Sequence, residues 1–477
     1  MNRTHSRTLH VAGVAAMTLL MPFALPQARA ATALRAGAAA VDISPQEFPV
    51  NMPGGFNANP ADGSNDPLHS RAMVLDDGAT TLAMVVVDNL HVGREVADEI
   101  KAGASKRCGI APEKIMLSST HTHSAPSETD GGYRKILVDG TIESIVRAHA
   151  ALRPAAVGWA THPLPDEVRN RRWYLKPDKM PLNPFGKMDQ VKMNPGTDPA
   201  TLERPAGPTD PDVTILSVQD GKGRKPLALF ANYSLHYVGS TPKSKVSADY
   251  YGEFARLVPF RLGAGDDFVA MMSNGTSGDI NNIPFLMTRP PRAPYEQIRI
   301  VAGKAADAAW HAKAKIASHS GDVRLGMVQR ELVLRLRRPT AEQLEWAKSV
   351  LAIKDKAELE KLPRLAENYA RRVKSLENVE ETVSVPLQAL RIGDLGVCTI
   401  PFESFAEIGL DLKKRSPFPT TMVIGLANGS HGYLPTPEQH RLGGYETWLG
   451  TCRVEEEASV KIVGQLLEML AELKKAG

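Results

Sequence analysis

At 477 residues, with 43% hydrophobic and 23% charged, the chain has an ordinary globular composition and enough apolar material for a large core. Lysine plus arginine (57) nearly balances aspartate plus glutamate (53), and no basic run or RNA-type motif suggests a nucleic-acid partner. The 38 glycines and 35 prolines are scattered, which argues for many ordered loops rather than a disordered chain.

The N-terminus reads as an export signal. Arg3 and Arg7 precede the apolar run 11–20, and Ala28-Arg29-Ala30 is a small-x-small cleavage motif. Residues 1–30 are therefore expected to be a signal peptide, and residues 31–477 a secreted or periplasmic protein. The run is shorter than the ~20 residues a membrane span needs, and Pro22 and Pro26 interrupt its end. No other segment reaches spanning length, so no transmembrane segment is expected. Cys108, Cys398 and Cys452 allow at most one bridge, with Cys108–Cys452 left open, and Cys398 sits in a strand-like run.

Along the chain, residues 72–75 and 81–87 predict a strand pair around Asp76-Asp77-Gly78. A helix follows Asp88-Asn89-Leu90-His91. Residues 114–117 predict a strand entering Ser118-Ser119-Thr120-His121, and 139–151 an amphipathic helix. Residues 176–211 are rich in Pro, Lys and Met without periodicity, which predicts a lid-like loop without packed elements. Further strands are predicted at 227–232, 268–272, 383–392, 395–400 and 421–426. Residues 340–377 predict a charged surface helical hairpin broken at Pro363, and 454–475 a terminal helix docked on the body. Strands and helices alternate, and several strands end in polar clusters. The expected class is α/β, with a mixed β-sheet core, surrounding helices and a site at strand ends.

Five clusters bear chemistry. In Thr120-His121-Thr122-His123-Ser124-Ala125-Pro126, histidines at i and i+2 on an extended chain share a face and can bind one metal, with Ser and Thr nearby to orient the rings. A pair of surface histidines is the plain alternative. His236, after the run 227–230, is either a ligand at a strand end or a core histidine. Residues 273–282 (SNGTSGDINN) hold two glycines whose backbone amides suit an anion, or else form a simple turn. Glu403 stands where a strand meets a helix, as a metal ligand or as a partner of the helix dipole. Tyr433 and Tyr445 lie in glycine-rich loops, either as site residues or as half-buried packing.

Together these segments resemble the neutral, non-lysosomal ceramidase family. The likeness runs from Gly37-Ala38-Ala39-Ala40-Val41-Asp42-Ile43-Ser44 through Thr120–Pro126, Asn232-Tyr233-Ser234-Leu235-His236, Gly278-Asp279-Ile280-Asn281-Asn282 and Glu403 to the Tyr433/Tyr445 pair. The resemblance implies one catalytic zinc held by His121, His236, Glu403 and Tyr433. It implies His123 beside the activated water or the substrate carbonyl, and Tyr445 and Arg171 as groups that hold the reacting oxygen, with Arg172 the alternative in register. It further implies His69, Asn170, Gly278 and Asp279 as substrate-binding residues. Two departures stand out. Asn281 occupies the position of a family serine, leaving Ser277 the nearest hydroxyl nucleophile. The residues after Tyr445 suffice for one helix, so no C-terminal immunoglobulin-like domain is expected.

What the resemblance implies is amide hydrolysis of an N-acyl sphingosine or related N-acyl lipid by zinc-activated water, on a small-molecule or lipid substrate, with transient membrane-surface contact allowed. A zinc hydrolase of a polar glycan- or peptide-derived amide or ester, and an inactive binding homologue, are the alternatives. A lipid enzyme should show an apolar slot, for which the lid offers Met180, Leu182, Phe185, Met188 and Met193, and a polar-substrate enzyme a wet pocket lined by Asn and Arg.

Overall fold

An all-apolar strand needs cover on both faces. We describe a computed structural model of the chain, comprising Met1, Asn2, Thr8 and residues 33–55, 58–222 and 225–476. The predicted signal peptide otherwise lies outside the described residues. The larger sheet contains β1 (Arg35–Asp42), β2 (His69–Asp76), β3 (Thr81–Val87), β4 (Ile115–Ser119), β5 (Arg153–Pro163), β6 (Asp212–Asp220), β7 (Pro226–Tyr233) and β8 (Val269–Asn274). Their spatial order is β8-β7-β6-β5-β1-β2-β3-β4. The pairs β3–β4 and β7–β8 are parallel and the others antiparallel, so the sheet is mixed.

A second sheet, β9 (Leu325–Arg335), β10 (Thr382–Ile392), β11 (Leu395–Thr399) and β12 (Thr420–Ile424), packs face to face on the first. Strand β3 shows the consequence. Leu82, Met84 and Val86 enter the core between the sheets, beside Leu390, Val397 and Ile424. Ala83, Val85 and Val87 enter the core beneath helices α1 (Arg94–Cys108) and α2 (Gly131–Ala150). Helices α3 (Asp249–Leu262) and α4 (Glu296–Ala314) cover β6, β7 and β8. The charged segment of the sequence folds as α5 (Ala341–Ala352), α6 (Lys356–Glu360) and α7 (Ala366–Ser375). Helix α8 (Ala406–Arg415), and α10 (Ala458–Lys475) after the short α9 (Pro437–Leu442), cover the outer face of the second sheet. The order is helices, sheet, sheet, helices.

The α/β class with its mixed sheet and surrounding helices is as expected; the sheet-on-sheet core is additional. Four strands escape the sequence pattern. β1 is rich in Ala and Gly because α2 lies tight against it: a Cβ on Gly37 would stand 2.2 Å from the Ala148 carbonyl oxygen. β5 and β9 are partly exposed, and β6 begins directly after the loop-like stretch. The expectation of no packed element in 176–211 is corrected. Arg172–Leu175 pairs with Lys192–Met193 on one side and Leu202–Pro205 on the other, strands too short to leave a period. Cys108, Cys398 and Cys452 are all free thiols, so no bridge forms among the described residues. No described helix is long and apolar enough to cross a membrane.

The two edge strands of the larger sheet do not diverge. β8 and β4 come within 8 Å at Cα. The segment leaving β12 joins them: Gly425 N–H donates to Asn274 O (3.0 Å), Ser119 N–H to Leu426 O (3.2 Å), and Asn428 N–H to Leu117 O (2.7 Å). A Cβ on Gly425 would stand 2.7 Å from the Gly275 carbonyl oxygen. Gly425→Ala should therefore destabilise the protein by about 1–3 kcal/mol through overpacking. Gly464→Ala, within α10 and with nothing within 4 Å of the new Cβ, should stabilise it by about 0.5–1 kcal/mol. Denaturant midpoints of the two variants should move in opposite directions.

Candidate metal and substrate site

The joined edge brings together residues far apart in sequence. His121 follows β4, His236 follows β7, and Glu403 follows β11. The chain at His121 is not extended as the i, i+2 argument assumes. Its φ is +69°, a left-handed conformation costly for a non-glycine residue. Thr120 N–H donates to Val87 O and His121 N–H to Asn89 O, both at 2.9 Å, and these bonds hold the kink. The two rings of the motif meet because the chain turns, not because it alternates.

All three imidazoles are oriented alike. Nδ1–H donates to a backbone carbonyl in each: Leu90 from His121 (2.7 Å), Gly54 from His123 (2.9 Å) and Ser277 from His236 (3.1 Å). The Ser and Thr hydroxyls expected to do this are not the acceptors. With Nδ1 carrying the proton, Nε2 presents a lone pair. The three histidines offer ligand atoms within 4.8 Å of one another. His121 Nε2 lies 3.4 Å from His123 Nε2 and 3.2 Å from Glu403 Oε2. Burial, with His121 as a like-charged neighbour, lowers the pKa of His123 to about 3 and that of His236 well below the usual value, so both are neutral. Burial opposes ionisation of Glu403, yet His121, the Tyr433 hydroxyl and Arg171 hold its carboxyl down at about 2.

Potential ligand atoms thus face one another across 3.2–3.4 Å. Two donors at ~2 Å from one tetrahedral zinc would stand about 3.3 Å apart. Glu403 Oε2 is buried with no hydrogen-bond partner. The donor set fits a cation, and it places His123 at ligand distance rather than beyond. Tyr433 joins through a short parallel pairing of Glu403–Ser404 with Tyr433–Leu434, which sets residues 403 and 433 side by side. Tyr433 lies 5.8 Å, ring to ring, from Tyr445.

Arg171 sits over the Tyr433 ring at 5.4 Å. Its Nε donates to Glu446 Oε1 (3.0 Å), while its Nη2 is buried and unpartnered. Arg172 Nη1 takes the other oxygen of Glu446 (2.7 Å), and its Nη2 donates to Gly443 O (2.6 Å). Arg171 therefore faces the site, and Arg172 braces the loop behind it. Asn281 shares a cavity wall with Arg171 and His236, and its Nδ2 donates to Asn194 Oδ1 (2.5 Å).

Of the four residues that the resemblance assigns to substrate, three bond or pack within the protein behind the site and one lies apart. Asn170 Nδ2 donates to Asp279 Oδ2 (2.7 Å), and its Oδ1 accepts from Arg172 N (3.0 Å). Asp279 Oδ1 accepts from Ala406 N, at the start of α8 (2.8 Å), and Asp279 O accepts from Arg171 N (2.8 Å). Burial raises the Asp279 pKa to about 7. The N–H groups of Gly275 and Gly278 donate to Tyr233 O and Ser404 O, so they are not free for an anion. Gly278 matters through its missing side chain: a Cβ would stand 2.3 Å from the Glu403 carbonyl oxygen. These residues brace Arg171 and Glu403. His69 is not brought to the imidazole cluster. It lines a separate cavity of about 280 Å3 with Asp66, Arg71 and Glu253. Ser277 Oγ is buried and donates to Asn274 Oδ1 (2.8 Å).

Three contributors escaped the sequence reading. Tyr237 stacks on His123 with ring centroids 3.7 Å apart, and its position beside His236 was the available signal. Glu446 is fully buried between two arginines, a role no local pattern announces. Lys361–Leu365, linking α6 to α7, lines a groove of about 740 Å3 with Met180, Leu182, Met193, Tyr445 and Trp448. Phe185 instead packs on Trp346 and Tyr369, and Met188 is exposed. Asn194 lines both this groove and the cavity holding His236. Glu446→Gln removes the shared carboxylate from two buried guanidinium groups, and should cost about 3–5 kcal/mol in a denaturation experiment.

Comparison with known proteins places this geometry. The model of the neutral/alkaline non-lysosomal ceramidase family, N-terminal part, matches residues 34–284. A neutral ceramidase of Mycobacterium tuberculosis (strain ATCC 25618 / H37Rv) is 23% identical over 296 residues, covering 56% of this chain and 43% of the relative. The match therefore spans less than half the length of that relative. The crystal structure of neutral ceramidase from Pseudomonas aeruginosa superposes with a TM-score of 0.70 at 19% identity, covering 93% of this chain and 75% of that one. A structure described as ceramidase complexed with C2 gives a TM-score of 0.70 at 17% identity, covering 93% and 76%. These two superpositions show a shared fold. With the family model matching more than half of its length, the chain belongs to the neutral/alkaline non-lysosomal ceramidase family.

Proposed function

We propose that the protein is a zinc-dependent amidohydrolase that cleaves an N-acyl sphingosine or a related N-acyl lipid. One observation carries the metal. Three imidazoles, each with Nδ1 committed to a backbone carbonyl, gather their ligand atoms within 4.8 Å, and Glu403 Oε2 stands 3.2 Å from one of them. His121, His236 and Glu403 would hold the ion, with Tyr433 beside Glu403 and His123 at ligand distance. When bound, zinc acidifies water and polarises a carbonyl. The Arg171 Nη2 donor, aimed by Glu446, is placed to receive charge developing on the substrate oxygen. Asn281, held by Asn194, orients the substrate and is no nucleophile. The N-terminal signal motif adds export to this reading.

The groove supports a lipid. Its wall of Met180, Leu182, Met193, Leu362 and Trp448 is apolar, and it reaches Tyr445 at the site. An acyl chain laid there would gain about 0.8 kcal/mol per buried CH2.

Elemental analysis should find zinc in the purified protein and none in the His121→Ala/His236→Ala double variant. Chelation should lower kcat on an N-acyl substrate by on the order of 10³-fold or more, with recovery on adding zinc. Unchanged metal content in the double variant would overturn the ligand assignment. In a second experiment, Met180→Ser/Leu362→Ser should raise KM for a long-chain N-acyl substrate about tenfold more than for a short-chain one. Equal effects on both would remove the groove from acyl binding.

A further inference from the structure

The cavity next to His236 has the wrong walls for a neutral ligand. Its volume is about 310 Å3. Arg171, Arg289 and Arg292 line it, with Asn194, Asn281 and Gln297, and among the described residues no carboxylate does. Besides the Arg171 Nη2 donor assigned to the reacting oxygen, Arg292 Nη1 is a buried N–H donor without a partner. Leaving such donors unmade is costly, and like charges around a small cavity add repulsion. The neighbouring acids are already engaged. Glu167 takes Lys304 Nζ (2.5 Å) and Asn282 Nδ2 (2.6 Å). Asp249 accepts from Val238 N and Gly239 N. Arg289 spends one donor on Asn282 Oδ1 (3.1 Å). Burial lowers its pKa, and Arg169 and Arg292 act in the same direction against Glu167. An oxyanion in the cavity would satisfy the free Arg292 donor and offset the crowded charge together, because the planar guanidinium matches carboxylate and phosphate oxygens.

We propose that this cavity is an anion-binding subsite for the amine-side portion of the substrate, so that the preferred substrates are N-acyl compounds whose amine portion carries a carboxylate or a phosphate. This rests on the hydrolase reading above. The apolar groove takes the acyl chain on one side of Asn194, and the arginine-lined cavity takes the charged portion on the other.

The test compares zinc-loaded wild type with Arg289→Gln/Arg292→Gln on N-dodecanoylglycine, N-dodecanoylphosphoethanolamine and neutral N-dodecanoylethanolamine. The wild type should favour at least one acidic substrate over the neutral one by tenfold or more in kcat/KM. In the double variant that ratio should fall at least tenfold, and the two acidic arms tell carboxylate from phosphate. A wild type without preference, or a variant that loses all three activities in proportion, overturns the subsite. Should neither these three nor N-dodecanoylsphingosine be cleaved, the hydrolase reading fails, and calorimetric binding of the same three compounds decides the subsite separately. Tighter binding of an acidic compound, lost in the variant, supports it; equal binding of all three overturns it.

Discussion

The site depends on one backbone seam. Gly425 to Asn428 bonds to the end of β8 on one side and to the end of β4 on the other. Without it, His121 after the edge strand β4 and His236 after β7 would sit toward opposite ends of an eight-stranded sheet. The same segment donates Leu426 N–H to Phe402 O (3.1 Å), one residue before Glu403. Three donors of the candidate metal set are therefore positioned by a single stretch of chain. That stretch is itself strained, with left-handed φ at Leu426 (+49°) and Asn428 (+62°). Asn428 is fixed further, its side chain accepting from Leu117 N and donating to Gln388 Oε1.

A second layer of bracing lies behind the arginines. The carboxylate of Glu446 holds Arg171 and Arg172 together, and Asp279 ties the Arg171 backbone to the start of α8. Paired, hydrogen-bonded charges of this kind hold a unique geometry more than they add stability. Only Arg171 keeps a free donor toward the cavity among these partners. The charged groups around the site are thus divided between those that fix positions and those left able to meet a ligand.

The strands at 81–87, 227–232 and 395–400 were legible because burial on both faces leaves a nearly continuous apolar run. β1 was not, because close packing against α2 demands small residues that carry no β signal. The polar clusters at strand ends pointed to His121, His236 and Glu403 before any contact was visible. Their meeting was illegible, since it depends on the curl that brings β4 to β8. Asn170, Asp279 and Gly278 fall near the site in sequence and in space, yet they hold it rather than face it. A motif match cannot separate these duties, because both require the residue to stay where it is. Glu446 and Lys361–Leu365 act through partners distant in sequence, Arg171 for the first and Met180 and Tyr445 for the second.

The seam also orders events during synthesis. β4 and β8 are complete by residue 274, while the segment that joins them ends at residue 428. Through that interval the larger sheet has two open borders, and β3 and β11 wait for each other's apolar faces. Open borders of this kind recruit foreign strands. The nascent chain is therefore most vulnerable to aggregation after more than half of it has been made, and it loses that vulnerability when the last strand of the smaller sheet arrives.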